Sequence, residues 1–285
     1  MEDKDIIIIL GNGFDLDLGY ETSYRKFYKN YFADNRKLDG DLKKFIRDKT
    51  LYCNWIDLEM ALKEYVLDKD RNLNIETFLE EYKTIKGWLE FFIRIQTGKC
   101  IREASCAYRL LQNITDFSRI RIYSFNYTSL DLNLNPAAKD SKDVVNIHGA
   151  LGESNMIFGF DSNGLNWNYS PIAEAVKTTN ANSCLNEYFG ATKGAKEIVI
   201  FGHSLGETDF GFYFKDIFKD QLYNQNRRIT IVTYDDLSVR QLNAKIDIGM
   251  NGKYRNLVQF PNVDIICTNK IEDEHKFQHL LERLC

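Results

Sequence analysis

Gly11-Asn12-Gly13 follows directly on five apolar residues, Ile6 to Leu10. A strand, a glycine loop and a helix start bring backbone N–H groups and the positive end of a helix dipole to a phosphate. Glycine permits close approach and positive φ. The loop is neither a Gly-x-Gly-x-x-Gly fingerprint nor a P-loop, because no Gly-Lys-Ser/Thr follows. The competing reading is a tight turn from strand to helix, with Asn12 tolerating left-handed backbone. Asp15 is read either as a contact to a ribose or polar substrate group, or as a cap on the next helix.

Three further clusters carry chemistry. Asn126, in Ser124-Phe125-Asn126-Tyr127-Thr128, has a carboxamide that both donates and accepts, so it can hold a ribose hydroxyl or orient a water. An Asx-turn after a strand is the alternative. His148 precedes Gly149; an imidazole there can act as a general base near neutral pH, and the glycine leaves room for a bulky ligand. Gly202-His203-Ser204-Leu205-Gly206 is a second glycine-rich segment after an apolar run. It also satisfies Gly-x-Ser-x-Gly, so a serine hydrolase with Ser204, Asp235 or Asp236, and His275 or His279 in that order is a rival reading. Trp55, Asp57 and Glu59 form a smaller group, read mainly as structural, with Glu59 the one that could face a site.

The elements that must position these residues are legible in the apolar pattern. The run 6–10 is short, wholly apolar and β-branched, as a strand buried on both faces requires. Strands are expected at 119–125, 143–147, 155–158, 197–201, 228–234 and 263–267. Helices are expected at 57–66, 76–95, 172–190, 208–223, 236–245 and 271–283. Phe78, Tyr82, Ile85, Leu89, Phe92 and Ile95 recur at helical spacing. Strands alternating with helices predict an α/β fold with a doubly wound, mostly parallel, Rossmann-like sheet. Residues 24–115 contain no convincing strand, so one domain over 1–285 carrying a helical insertion at about 24–115 is expected. In such sheets ligands gather at the carboxyl ends of the strands. Gly11, Asn126, His148, Gly202 and Asp235 all follow predicted strands.

Composition bounds the partners. The chain has 285 residues, 44% hydrophobic and 27% charged, enough for a sizeable core. With a net charge of −4, nothing global in the chain recruits DNA or RNA, and a nucleic-acid partner is not indicated. None of the six cysteines forms a Cys-x-x-Cys pair, and no His/Cys group has zinc spacing, so reduced thiols and no metal are expected. The apolar run at 6–10 is too short for a signal peptide or a bilayer span, which predicts a soluble, cytoplasmic protein without a membrane partner.

The order of blocks resembles the AbiH family, bacterial abortive-infection proteins that defend against phage. The blocks are Gly11-Asn12-Gly13-Phe14-Asp15-Leu16, Thr22-Ser23-Tyr24, Trp55-Ile56-Asp57-Leu58-Glu59, Phe125-Asn126-Tyr127-Thr128, Ile147-His148-Gly149 and Phe201-Gly202-His203-Ser204-Leu205. More distantly the layout is similar to the Sir2 superfamily. That resemblance implies NAD phosphates at Gly11, Asn12 and Gly13, and Asn126 at the nicotinamide ribose with Tyr127 beside it. It further implies His148, before Gly149, as catalytic base, and Gly202, His203 and Ser204 on the adenosine side. Asp15 would touch the nicotinamide end. Three departures stand out: Gly-Asn-Gly where that superfamily has Gly-Ala-Gly, the block Phe-Asn-Tyr-Thr, and helices in place of a zinc module. Without the zinc module the resemblance implies NAD+ as substrate of a glycohydrolase, with no tightly bound cofactor. A non-catalytic sensor of NAD or an ADP-ribose-type nucleotide uses the same residues. Self-association and a phage-derived trigger are expected of a defence effector as a class.

Overall fold

The computed structural model describes residues 4–32, 40–52, 58–68, 73–130, 143–152, 156–162, 164–165, 167–177, 182–223, 226–252, 260 and 262–285. In chain order the elements are β1 (Ile6–Leu10), α1 (Asn12–Leu18), α2 (Tyr24–Phe27), α3 (Asp41–Tyr52), α4 (Leu58–Leu67), α5 (Ile75–Thr97), α6 (Cys106–Asn113), β2 (Ile120–Ser124), β3 (Val144–Asn146), α7 (Asn182–Gly194), β4 (Glu197–Phe201), α8 (Lys215–Gln221), β5 (Arg228–Thr233), α9 (Asp236–Gly249), β6 (Val263–Cys267) and α10 (Glu274–Leu284). They divide between two compact units. The first comprises residues 1–20, 100–147 and 183–285, and the second 21–99 and 148–182.

The first unit holds a six-stranded sheet in the order β3-β2-β1-β4-β5-β6, with every pair parallel. This is a doubly wound, Rossmann-like α/β fold. β1 pairs with both β2 and β4, Ile8 facing Ile122 on one side and Val199 on the other. All five β1 residues are buried, as a central strand covered on both faces demands. Side chains alternate across the pleat. Ile6, Ile8 and Leu10 join Ile120, Ile122, Val199 and Phe201 in one core layer. Phe14 and Leu18 of α1, Leu110 and Leu111 of α6, and Phe277, Leu280 and Leu281 of α10 close that layer. Tyr123, from β2, meets Tyr188 of α7 edge-on at 5.0 Å.

The second unit is helical. α5 buries Phe78, Tyr82, Ile85, Leu89 and Phe92, and its stripe ends on Ile93 and Gln96. Ile95 is 40% exposed instead. At about 100° per residue Gln96 returns to the line of Phe78, whereas Ile95 lies about 100° away from it. Tyr82 donates from its hydroxyl to the carbonyls of Phe158 (2.5 Å) and Glu174 (3.1 Å).

Several expected elements differ. Of the strand expected at 155–158, the described residues 156–158 form none; just beyond them the backbone makes a single parallel bridge, Phe160 to Val176. Apolarity alone does not supply a partner strand, and Phe158 spends its burial stacked on Tyr82 with rings 6.0 Å apart. The helix expected over 172–190 is a 3-10 segment over Trp167–Ala175, containing Pro171, followed by α7 from Asn182. The helix expected at 208–223 is a turn at Glu207–Asp209, a π-helical stretch at Phe210–Phe214, and then α8. α6, inside the expected insertion, belongs to the sheet unit. Trp55, Asp57, Asn155 and residues 178–181 lie outside the described residues. No helix among the described residues is long and apolar enough to cross a membrane.

Candidate functional site

In this strand order the winding reverses between β1 and β4, and the carboxyl ends at such a switch point are where open α/β sheets take their ligands. The loops that follow those two strands touch backbone to backbone. The Gly11 N–H donates to the Phe201 carbonyl at 2.9 Å and the Gly13 N–H to the Gly202 carbonyl at 2.8 Å. A Cβ on Gly11 would lie 2.4 Å from Cα of His203, and one on Gly13 2.7 Å from Cα of Gly202. Gly202, at φ +66°, would direct a Cβ to within 2.3 Å of the Phe14 nitrogen. Crossing of the two loops therefore accounts for these three glycines. The two glycine N–H groups are spent inside the protein.

Asp15 is buried at 3% exposure on α1, and Asn126 at 6% after β2. The Asn126 amide nitrogen donates to Asp15 Oδ1 at 2.9 Å and to the Gly11 carbonyl at 3.1 Å. The Thr128 hydroxyl donates to Asp15 Oδ2 at 2.9 Å. Behind them, the Asn126 backbone N–H donates to Ser124 Oγ at 3.2 Å, which sets the turn out of β2. Asp15 thus ties the first loop to the loop after β2.

His203 is buried between rings. Its centroid lies 4.7 Å from Phe125 and 4.5 Å from Phe214. Nδ1 accepts the Leu205 N–H at 3.0 Å, so the neutral ring carries its proton on Nε2, 3.8 Å from the Asp209 carboxylate. Ser204 is exposed, and its carbonyl accepts from Lys245 Nζ at 2.8 Å. The strained backbone a nucleophile elbow puts at its serine falls instead on Leu205, at φ 51°. Asp235 caps α9 through Ser238, Asp236 pairs with Lys270, and His279 pairs with Glu282. Asp235, Asp236 and His279 of the hydrolase reading are thus each paired with a residue other than Ser204.

The sheet unit therefore brings together Gly11, Asn12, Gly13, Asp15, Asn126, Tyr127, Gly202, His203 and Ser204, after β1, β2 and β4. His148 and Gly149, which follow β3 in the chain, belong to the second unit. His148 is 2% exposed, its carbonyl accepts the Ile157 N–H at 2.7 Å, and Gly149 has φ +68°. In the same unit Glu59 takes the Tyr24 hydroxyl at 2.8 Å and the Lys177 ammonium at 2.6 Å, while Lys63 pairs with Asp161 at 2.9 Å. Glu59 and Lys63 are four apart on α4, one face of the helix. Lys177, Asp209 and the role of Thr128 escape a reading of sequence. A buried lysine leaves no periodic signature; Thr128 had only its place two residues beyond Asn126. Among the described residues no group of three or more His, Cys, Asp or Glu side chains is placed to hold a metal.

A doubly wound sheet with glycine loops crossed at its switch point, and a buried Asp–Asn–Thr triad beside them, places the chain among Rossmann-like α/β proteins by architecture. The family model described as bacteriophage abortive infection AbiH matches residues 7–234, and the chain belongs to the AbiH family. No curated protein matches the chain. Family membership assigns it a role in bacteriophage abortive infection.

Proposed function

We propose that this chain is an abortive-infection effector that hydrolyses NAD+ to nicotinamide and ADP-ribose. The observation carrying the reading is the placement of Asn126, with its amide held, beside the crossed glycine loops at the switch point of a 3-2-1-4-5-6 sheet. The Sir2-like order of blocks supports it. In the reaction a water oxygen bonds to the ribose C1′, the C1′–N bond breaks, nicotinamide leaves neutral, and the water proton passes to a base. Positive charge develops at C1′ on the way, so a held ribose and an oriented water lower the barrier. Asn126 holds the ribose or the water; the role of base is carried to His148 by the Sir2-like order of blocks alone. The diphosphate lies against the Gly11–Gly13 loop, and Gly202, His203 and Ser204 meet the adenosine side. Depletion of NAD+ in the infected cell is then the route to abortive infection, with self-association and a phage-derived trigger as the means of restraint.

The test is nicotinamide release from NAD+ by the purified chain, followed by proton NMR, beside Asn126→Ala and His148→Ala variants shown to be folded by circular dichroism. Release by the wild type and by neither variant supports the reading. Release that survives in both variants overturns the site. Stabilisation by NAD+ or ADP-ribose without turnover, with or without phage components, points instead to a nucleotide sensor.

A further inference from the structure

We propose that Asp15 and Thr128 are positioning residues that lock the Asn126 carboxamide in one orientation, so that Asn126 meets its ligand only as a hydrogen-bond acceptor. The orientation follows from the chemistry of the neighbours. A carboxylate and a peptide carbonyl have lone pairs and no proton to give. Only the NH2 side of the amide can therefore face Asp15 Oδ1 and the Gly11 carbonyl, at 2.9 and 3.1 Å. A flipped amide would set oxygen against two oxygens in a buried site, where such repulsion is least screened. Both amide protons are thereby committed, and Oδ1 is what the side chain offers. Asp15 is held in turn by Thr128, whose hydroxyl donates to its second oxygen at 2.9 Å. The three side chains come from positions up to 113 residues apart in sequence and close one network.

The consequence is a selection on ligand chemistry. An acceptor recognises a hydroxyl or a water and turns away phosphate oxygens and carbonyls, which also accept. Asn126 thus fits a ribose hydroxyl or the attacking water, and excludes a diphosphate contact at this residue. This rests on the reading of Asn126 as a ligand contact; the locking of the amide does not.

The experiment uses the full chain labelled with 15N-asparagine. The Asn126 side-chain NH2 signals are identified by their loss in Asn126→Ala, and their hydrogen exchange is measured in the wild type, Asp15→Ala and Asp15→Asn. Slow exchange is expected in the wild type and fast exchange in Asp15→Ala. Asp15→Asn is expected to rescue protection, because its oxygen still accepts from Asn126 while the Thr128 hydroxyl turns to accept from the new NH2. Nicotinamide release is to follow the same order, with kcat falling on the order of 10²-fold in Asp15→Ala and largely recovering in Asp15→Asn, with KM little changed. Unchanged exchange in Asp15→Ala overturns the proposal, as does Asp15→Asn behaving like Asp15→Ala, which would make the negative charge itself the operative feature. Should Asp15→Ala fail to fold, Asp15→Asn is compared with Asp15→Asn/Thr128→Val; the double variant loses the hydroxyl that orients the introduced carboxamide, and retained protection there is the overturning result. A wild type that releases no nicotinamide defeats the proposed reaction while the exchange measurements still decide the locking.

Discussion

The ammonium of Lys177 lies 2.6 Å from the carboxylate of Glu59, and the two residues are 1% and 7% exposed. The pair joins α4 to the segment that follows the 3-10 helix, and the Tyr24 hydroxyl completes the shell of Glu59. Removing one partner of a buried pair strands the other charge, whereas replacing both with apolar groups is far less costly. Lys177→Met is therefore expected to destabilise the second unit by about 3–5 kcal/mol, and Glu59→Leu/Lys177→Met to recover most of that. All three tryptophans, Trp55, Trp88 and Trp167, lie in the sequence segments of this unit, so urea unfolding followed by tryptophan fluorescence reports on it. A double variant as unstable as the single one would refute the expectation.

At Gly202 two costs coincide. A side chain at φ +66° is strained by about 1 kcal/mol or more, and its Cβ collides with backbone that cannot rotate away. Gly202→Ala should lower the urea midpoint clearly. Gly211→Ala is the matched control: nothing lies within 4 Å of its Cβ, and it sits in helical backbone. There alanine should be neutral or stabilise by about 0.5–1 kcal/mol. Equal effects at the two positions would contradict the crossing of the loops.

Arg227, 1% exposed, turns its guanidinium to uncharged acceptors. It donates to Gln221 Oε1 and to the carbonyls of Thr192 and Ile217, at 2.8, 3.2 and 2.6 Å. Burial lowers its affinity for the proton. Those carbonyls belong to α7 and α8, so the fork ties two helices to the start of β5. A lysine is a point charge and cannot span the three acceptors. Arg227→Lys should cost about 2–4 kcal/mol, through acceptors left unsatisfied, read from chemical unfolding followed by circular dichroism.

Desolvation holds the Asp17 carboxyl above its ordinary value, against the opposing pull of the Ala107 N–H and the Arg102 charge. A carboxyl whose folded value is raised contributes stability while protonated and loses it as pH climbs through the folded value. Asp17→Asn keeps an oxygen for the Ala107 N–H, 2.7 Å away. The variant should therefore be more stable than the wild type at pH 7, and the gap should close as pH falls below 3.8, the ordinary value. A gap that widens on acidification would reverse the sign argued here.

The run Ile6–Leu10 read alone as a central strand, and the α5 stripe from Phe78 to Phe92 read alone as a buried helix face. Both are patterns within a few turns or a few residues, and burial on two faces or one stripe leaves its mark on residue type. The alternation of such patterns, and the ordered family blocks, were likewise complete in the chain before any coordinate. Tertiary structure decided what depends on partners far away in sequence. It withheld a strand from 156–158 for want of a neighbour, and traded Ile95 for Gln96 at the end of α5. It made Gly11, Gly13 and Gly202 necessary through each other's backbones. It also spent the Asn126 amide protons inside the fold, on Asp15, 111 residues away in the chain, and on Gly11. Local periodicity records which side of an element meets the core; the direction of a hydrogen bond is set by whichever donor or acceptor the fold brings opposite.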